Sequence, residues 1–285
     1  MGLRFLVVEG NTRGARQAHR QAYGLMPSES YAAVLQEIDG DAVCDLAFPA
    51  DEGANLPDAA GLESYDGIVL TGSHLNIYDR TPDILRQIDL MRAIYASRTP
   101  AFGSCWGLQV AAVAADGDVR ANPLGREVGF ARRLTPTEAG RAHPLLDGRP
   151  AAFDAPAIHL DVVTAPPDDC TVLASNALTP IQAAEIRQDG GVFWGVQYHP
   201  ELDLYEVAGA LRRQSSDVVE EGLAESREAL EQYASAVEAL HHAPGRKDLA
   251  WVLGLDEQVT NVDARLVELR NFIRFAAEAR PSRRT

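Results

Sequence analysis

Apolar runs and amphipathic stretches alternate along the first 115 residues of the chain. Four short apolar runs, bounded by glycine, proline or polar residues, have the pattern of buried strands. They span residues 3–8, 43–48, 67–71 and 100–104. Three stretches carry apolar residues at helical spacing. They span residues 28–38, 81–95 and 108–115. Strands that alternate with helices through short connections predict an α/β fold with a mostly parallel central sheet flanked by helices.

The pattern changes twice in the rest of the chain. From residue 119 to residue 197 it predicts a smaller β section made of short segments. Two apolar stripes at helical spacing then run from Val219 to Leu240 and from Leu255 to Ile273. Two interpretations of these helices stay open. They fold back on the sheet or on each other, or they form the interface of a homo-oligomer or of another partner.

Cys105 stands where an apolar run ends and a helical stretch begins. Gly103 and Gly107 lie two residues to either side of it. A side chain at the tip of a tight strand-to-helix turn needs such small neighbours, as in the nucleophile elbow. A helix that starts after the cysteine would also favour its thiolate. The pentapeptide alone is equally compatible with a nucleophile and with a buried structural cysteine.

The last predicted strand ends in His199, Pro200 and Glu201. Side chains two residues apart in an extended segment share a face, so Glu201 could orient the His199 imidazole toward a thiol. A strand end followed by a solvated acid has the same pattern. Gly72 follows the third predicted strand. A glycine at this position lets a backbone N–H point into a pocket, because no side chain is in the way. The alternative interpretation is an ordinary turn glycine.

The composition narrows the class of protein. A net charge of -15 and an isoelectric point near 4.8 argue against a nucleic-acid or anionic-membrane surface. Three scattered cysteines favour a reducing cytoplasm, and no targeting or membrane-spanning run is found, so we expect a soluble cytoplasmic protein. The single lysine, Lys247, does not belong to a P-loop, so any ATP chemistry would belong to another protein.

Taken together, the segments resemble the class I glutamine amidotransferase domain of the Cys-His-Glu type, over about residues 3–212. The most specific matches are residues 103–109 and 195–201, in the family's order and at its usual separation. Two weaker matches, residues 126–130 and 159–163, lie between them. The glutaminase part of GMP synthases looks most similar.

The resemblance implies a flavodoxin-like fold for residues 1–213, followed by a helical C-terminal extension at residues 214–285. It implies that Cys105 is the nucleophile, that His199 is the general base and acid, and that Glu201 orients His199.

The resemblance also implies the binding groups. The backbone N–H groups of Gly72 and Trp106 would form an oxyanion hole. The glutamyl α-amino and α-carboxylate groups would bind at a further set of residues. Those are Gln109 and the backbone around Gly129 and Phe130, with His159 and Asp161 as weaker candidates. No metal or cofactor is implied.

The reaction that the resemblance implies is hydrolysis of the γ-amide of glutamine or of another γ-glutamyl amide through a Cys105 thioester, with release of ammonia or an amine. One alternative is an ammonia-supplying subunit of a separate synthetase. Another, from a different class, is a catalytically silent binding or regulatory module.

Three departures from the family's pattern lie close to the predicted site. Ser104 replaces an aliphatic residue, Trp106 is bulky, and residues 71–74 replace a small, glycine-rich loop. Because Ser104 and Trp106 adjoin Cys105, they are where we expect selection of a substrate other than free glutamine.

Overall fold

The computed structural model describes residues 2–283. Its strands are β1 (Arg4–Val8), β2 (Val43–Ala47), β3 (Gly67–Leu70), β4 (Ala101–Ser104), β5 (Asp118–Ala121), β6 (Glu127–Pro136), β7 (Phe153–His159), β8 (Asp161–Ala165), β9 (Cys170–Ser175), β10 (Ala183–Gln188) and β11 (Gly191–Val196). Its α-helices are α1 (Arg13–Tyr23), α2 (Pro27–Ile38), α3 (Ala59–Glu63), α4 (Pro82–Ser97), α5 (Trp106–Ala114), α6 (Glu138–Ala142), α7 (Leu204–Arg213), α8 (Ser215–Glu220), α9 (Arg227–His242), α10 (Lys247–Leu253), α11 (Glu257–Thr260), α12 (Val262–Arg265) and α13 (Val267–Arg283).

Nine strands form one mixed sheet in the order β2-β1-β3-β4-β11-β10-β9-β6-β7. The strands from β2 to β11 in this order pair in parallel, and the strands from β11 to β7 pair antiparallel. β5 and β8 form a separate antiparallel pair. The predicted α/β fold is confirmed. Most of the smaller β section continues the central sheet as its antiparallel half.

Successive residues of the parallel strands enter two different cores, because their side chains point to opposite faces of the sheet. On one face, Leu6 and Leu70 pack with residues of α4 and α5. On the other face, Val7 and Phe102 pack with residues of α2 and α13. Both faces of the parallel half are therefore covered by helices, as the near-continuous apolar runs of these strands require.

The residues after α7 divide into two groups. Helices α9 to α11 lie over α7 and β6, where Leu230 and Val259 are buried in one cluster with Phe130. Helix α13 packs on the sheet, and the Phe272 and Phe102 ring centroids are 5.5 Å apart. Most of each apolar stripe is thus covered within the chain, while Leu223 and Val262 are exposed. Because α13 shares a core with the parallel strands, the predicted boundary at residue 213 does not separate two cores.

The parallel strands determine where a site can form. β1, β3, β4 and β11 all end at the same edge of the sheet, since they run in one direction. Open α/β sheets bind ligands at this carboxyl edge.

Within residues 2–283, no helix is long and apolar enough to cross a membrane.

Candidate active site

Cys105 is the single residue between β4 and α5. Its backbone has φ 51° and ψ -101°, a conformation that residues with a side chain rarely adopt. A Cβ on Gly103 would stand 2.8 Å from the Cα of Gly107, so the turn requires the close approach that glycine allows. Backbone strain of this kind, held by the surrounding fold, is characteristic of functional positions.

The fold brings His199, at the end of the neighbouring strand β11, to this cysteine. Its imidazole lines the same cavity as the Cys105 thiol, which donates to the Ile158 carbonyl at 3.9 Å, and its Nδ1 lies 2.6 Å from Glu201 Oε1. Burial lowers the pKa of His199, but the charge of Glu201 and the hydrogen bonds with Cys105 and Glu201 outweigh it and raise the pKa from 6.5 to about 10. The imidazole is therefore mainly protonated at neutral pH.

Glu201 is held by a chain of hydroxyl groups that the sequence did not reveal. The Ser104 hydroxyl donates to Glu201 Oε2 at 2.8 Å, and Ser104 Oγ lies 2.9 Å from the Tyr31 hydroxyl. All three side chains are buried. Ser104 thus lies on the side of the Glu201 carboxylate that faces away from His199.

The expectation that Ser104 and Trp106 select the substrate is wrong, because neither lines the cavity that contains Cys105. Ser104 follows Phe102 by two residues on a strand, so its side chain points to the face that carries α2. The Trp106 indole N–H donates to Gln87 at 2.8 Å, and its ring belongs to the core under α4 and α5.

Gly72 lies directly against His199. A Cβ at this position would stand 2.6 Å from the imidazole Cε1, so any larger residue would displace the ring. The Gly72 carbonyl accepts hydrogen bonds from Asn11 Nδ2 at 3.1 Å and from the Thr71 hydroxyl at 3.0 Å. Asn11 Oδ1 also lies 2.9 Å from His74 Nδ1. This turn is therefore held in place from the loop that follows β1.

One cavity of about 680 Å³ collects most of the predicted site residues at the carboxyl edge of the sheet. Its lining includes Cys105, His199, Glu201, Gly72, Gln109, His159 and Asp161. The first turn of α5 also begins here, at Trp106, and first-turn N–H groups have no partner within their own helix. The cavity thus joins a thiol, an imidazolium, a buried carboxylate and a helix N-terminus.

Gln109 and Asp161 lie together at one end of the cavity. The Gln109 side chain donates to the Asp161 carbonyl at 3.0 Å. Burial raises the pKa of the Asp161 carboxyl. His159 Nε2 lies 3.1 Å from Glu127 Oε2, so this imidazole faces a second buried acid as well as the cavity.

Gly129 and Phe130 do not lie at this cavity. They belong to β6, where Gly129 pairs with Ala157 of β7, and β7 rather than β6 approaches the triad. The Phe130 side chain lines a different cavity, between β6 and the helices after α7. The glutamyl-binding role predicted for these two residues is therefore at odds with their position.

Sequence reasoning did not identify Asn11, Tyr31 or the cavity-facing side of α1. Asn11 lies in the loop after β1, at the carboxyl edge where open α/β sheets bind ligands, so its position in the fold carried a signal. Helix α1 has alanines rather than large apolar residues on its inward face, so a search for large apolar residues at helical spacing did not find it.

Comparison with known proteins agrees with this architecture. A profile of the class I glutamine amidotransferase family matches residues 46–214. A γ-glutamyl-L-1-hydroxyisopropylamide hydrolase from Pseudomonas sp. is 39% identical over 238 residues, which cover 82% of this chain and 80% of the relative. A GMP synthase from Leifsonia xyli subsp. xyli is 37% identical over 137 residues, covering 48% of this chain and 26% of the synthase.

A solved structure of a glutamine amidotransferase from Thermotoga maritima has the same fold. Its TM-score is 0.60 at 14% identity, with 98% of this chain and 99% of that chain covered. The chain belongs to the class I glutamine amidotransferase family. It is an enzyme of that family, so the prediction of an enzyme is confirmed and the silent-module alternative is dropped.

Proposed function

We propose that this chain hydrolyses a γ-glutamyl amide, either glutamine or an N-substituted derivative, through a thioester on Cys105. The observation that carries the proposal is the meeting of Cys105, His199 and Glu201 in one cavity. The Pseudomonas relative supports a substituted amide, because its name gives such a substrate and its similarity extends over 82% of this chain.

In the first half of the reaction, the Cys105 thiolate attacks the γ-carbonyl carbon and a C–S bond forms. The oxyanion accepts hydrogen bonds from the N–H groups of Gly72 and Trp106. The His199 imidazolium gives its proton to the leaving nitrogen as the C–N bond breaks. The raised pKa of His199 suits this role, since the proton is already in place before attack.

In the second half, neutral His199 takes a proton from water and the resulting hydroxide attacks the thioester. The C–S bond breaks, glutamate leaves, and the thiolate and imidazolium are restored. Glu201 accepts the hydrogen bond from the imidazole N–H throughout and keeps the ring in the required orientation.

The glutamyl group is proposed to lie at the end of the cavity beside Gln109 and Asp161. Its carbonyl must reach Cys105, and Gln109 lies one helical turn beyond that residue on α5. The raised pKa of Asp161 reflects its burial, and a bound α-ammonium group would compensate a negative charge there. His159 borders the same end.

The test is release of glutamate by the purified full chain from glutamine and from a panel of N-alkyl γ-glutamyl amides. Cys105→Ala should lower the rate for every substrate by more than about 10⁴-fold, because the nucleophile is lost. Wild-type rates in this variant would refute the mechanism.

Cys170→Ala is the matched control. Cys170 is half-buried, and burial raises the pKa of its thiol from 9.0 to about 11, so it is mostly protonated at neutral pH. We expect this variant to keep the wild-type rate. Iodoacetamide should also label Cys105 first in the wild-type chain, and prior incubation with substrate should slow that labelling.

A second candidate function is supply of ammonia to a separate synthetase. The match to the GMP synthase from Leifsonia covers only 26% of that protein, and the remainder has no aligned counterpart in this chain. This function predicts that glutaminase activity rises sharply when a synthetase is added. High unaided activity on a substituted amide, together with low activity on glutamine, would count against it.

A further inference from the structure

The cavity lies at the carboxyl edge of the sheet, and elements from both faces of the sheet line it. Gln109 and Asp161 line it on the side of α5, which covers one face. Residues of α1, α2 and the start of α7 line it on the other side, and α2 covers the opposite face. We call this second side the α1 arm. Its lining residues include Ala15, Ala18, His19, Ala22, Leu202 and Glu206.

The chemistry of the proposed function gives the α1 arm an occupant. The leaving nitrogen must lie within reach of His199, which protonates it. The acyl chain and the leaving nitrogen extend from the same carbonyl carbon in different directions. If the acyl chain runs from Cys105 toward Gln109, substituents on the nitrogen extend past His199 into the α1 arm.

The wall of the α1 arm has room for such substituents. Ala15, Ala18 and Ala22 recur at steps of three and four residues, so they share one face of α1. Each lines the cavity with only a methyl group. The helix is fixed against α7, where the Tyr23 ring packs edge-on to Tyr205 with centroids 5.9 Å apart.

The α1 arm also has a polar end. His19 Nε2 lies 3.8 Å from Glu206 Oε1, which is too long for a direct hydrogen bond. His19 Nδ1 donates to the Leu25 carbonyl at 2.8 Å, so Nε2 of the neutral ring is an acceptor. The other Glu206 oxygen accepts from the Asp203 N–H at 3.3 Å, which leaves Oε1 for a ligand.

The protonation of this pair suits a hydroxyl group. Burial lowers the pKa of His19, which favours the neutral ring. Burial, together with the charge of Asp203, raises the pKa of Glu206 from 4.5 to about 7, so a large share of its carboxyl groups carry a proton at neutral pH. A hydroxyl can accept from the Glu206 carboxyl and donate to His19 Nε2 at the same time.

We propose that the α1 arm is the subsite for the amine portion of the substrate, and that the amine is a small hydroxyalkylamine whose hydroxyl bridges His19 and Glu206. This inference rests on the proposed function. The amine class agrees with the amide in the Pseudomonas relative's name, and the inference adds the subsite and the residues that would recognise the amine.

The first test fills the α1 arm. Ala18→Leu and, as a matched control, Gln17→Leu are assayed with glutamine, γ-glutamylisopropylamide and γ-glutamyl-1-hydroxyisopropylamide. Gln17 is the preceding residue on α1 and is exposed, as Ala18 is, but it does not line the cavity. In Ala18→Leu, the ratio of kcat/KM for either substituted amide to that for glutamine should fall at least about tenfold, because the leucine side chain occupies the space of the alkyl group.

The Gln17→Leu control should keep both ratios. An unchanged ratio in Ala18→Leu, or an equal fall in both variants, would overturn the subsite. A thermal melt of each variant accompanies the kinetics, so that a folding defect is recognised as a loss for all three substrates.

The second test addresses the hydroxyl. His19→Phe keeps a ring against Tyr23, whose ring centroid lies 4.6 Å from that of His19, but removes the Nε2 acceptor. The preference for the hydroxyisopropylamide over the isopropylamide should fall roughly three- to tenfold, the effect of one lost hydrogen bond. An unchanged preference would refute the bridging role.

Failure of the subsite and failure of the proposed function give different results. If the wild-type chain releases glutamate from no γ-glutamyl amide, the proposed function falls and the subsite with it. If wild-type activity is present and the substrate ratios do not respond to Ala18→Leu, only the subsite falls. Calorimetric binding of the hydroxyisopropylamide in the Cys105→Ala background, with and without Ala18→Leu, separates binding from turnover.

Discussion

Two adjacent residues at the end of β11, Tyr198 and His199, each hydrogen-bond a buried glutamate. The Tyr198 hydroxyl donates to Glu268 on α13 at 2.7 Å. His199 Nδ1 lies 2.6 Å from Glu201. Both glutamates are buried, yet their surroundings differ, and we propose a structural role for Glu268 and a catalytic role for Glu201.

Glu268 belongs to a closed ion pair. Its two oxygens accept from Arg149 Nε at 2.7 Å and from a terminal nitrogen of the same guanidinium at 2.6 Å. Arg149 also donates to the carbonyl oxygens of Ala264 and Arg265. Burial lowers the pKa of Arg149, but the charge of Glu268 and the hydrogen bond with it outweigh burial and raise the pKa above its usual value, so the guanidinium keeps its proton. This pair fastens α13 to the loop that precedes β7.

Glu201 instead faces a group that exchanges a proton, and both it and His199 line the cavity. The comparison shows that burial alone does not make a carboxylate catalytic. What matters is whether its partner can titrate and whether that partner reaches a space where substrate can lie. Four experiments can break or sharpen this distinction.

The largest expected effect is on activity, from Glu201→Gln. The amide keeps the shape of the side chain but removes the charge that holds the imidazolium, so kcat should fall by about 10³- to 10⁴-fold. The urea midpoint should change little compared with that of an Arg149 variant. A fall in kcat below tenfold would contradict the catalytic assignment of Glu201.

The next effect is on stability, from Arg149→Met. Removing the cation leaves Glu268 buried without a counter-charge, which should cost about 3–5 kcal/mol of unfolding free energy. Urea denaturation measures this loss. At a low temperature, where the variant is still folded, its kcat should stay close to the wild-type value. A loss of kcat as large as that of Glu201→Gln would place the Arg149 pair in the chemistry.

The triad was predictable from the sequence because its signals are local. The tight turn at Cys105 requires the glycines two residues to either side of it. The orientation of the imidazole requires the two-residue spacing of His199 and Glu201 at a strand end. The position of Ser104 was also within reach, since it shares a strand face with the core residue Phe102. The polar partners Tyr31 and Glu201 could not be foreseen, because they come from other parts of the chain.

The packing of the C-terminal helices was less accessible. A stripe of apolar residues such as that ending at Ile273 predicts a buried helix face, but it does not identify the surface that covers it. The position of Gly129 and Phe130 away from the cavity was hidden for a related reason, because the sequence could not show that β6 pairs with β7. Helix α1 was missed because its inward face consists of alanines and polar residues.

A smaller effect concerns pH. With a pKa of about 10 in the folded chain, His199 stays protonated through neutral pH, so kcat should fall as pH rises through about 10. The raised pKa also means that His199 contributes stability fully below its unfolded value of 6.5 and loses that contribution between pH 6.5 and about 10. Glu201→Gln should move the alkaline fall of kcat to lower pH. If the pH of this alkaline fall is unchanged in the variant, the charge of Glu201 does not hold the proton on His199.

The smallest expected effect comes from the hydroxyl chain behind Glu201. Ser104→Ala removes the donor to Glu201 Oε2 at 2.8 Å and leaves that buried oxygen without this hydrogen bond, which should lower kcat roughly tenfold. Tyr31→Phe acts one step further from the carboxylate, so its effect should be smaller. Because the two hydroxyls act in series, the double variant should resemble Ser104→Ala alone. If Ser104 has only a structural role, kcat and the pH at which kcat falls will match the wild type, while the unfolding free energy falls. If Ser104 positions Glu201, kcat and that pH will change together.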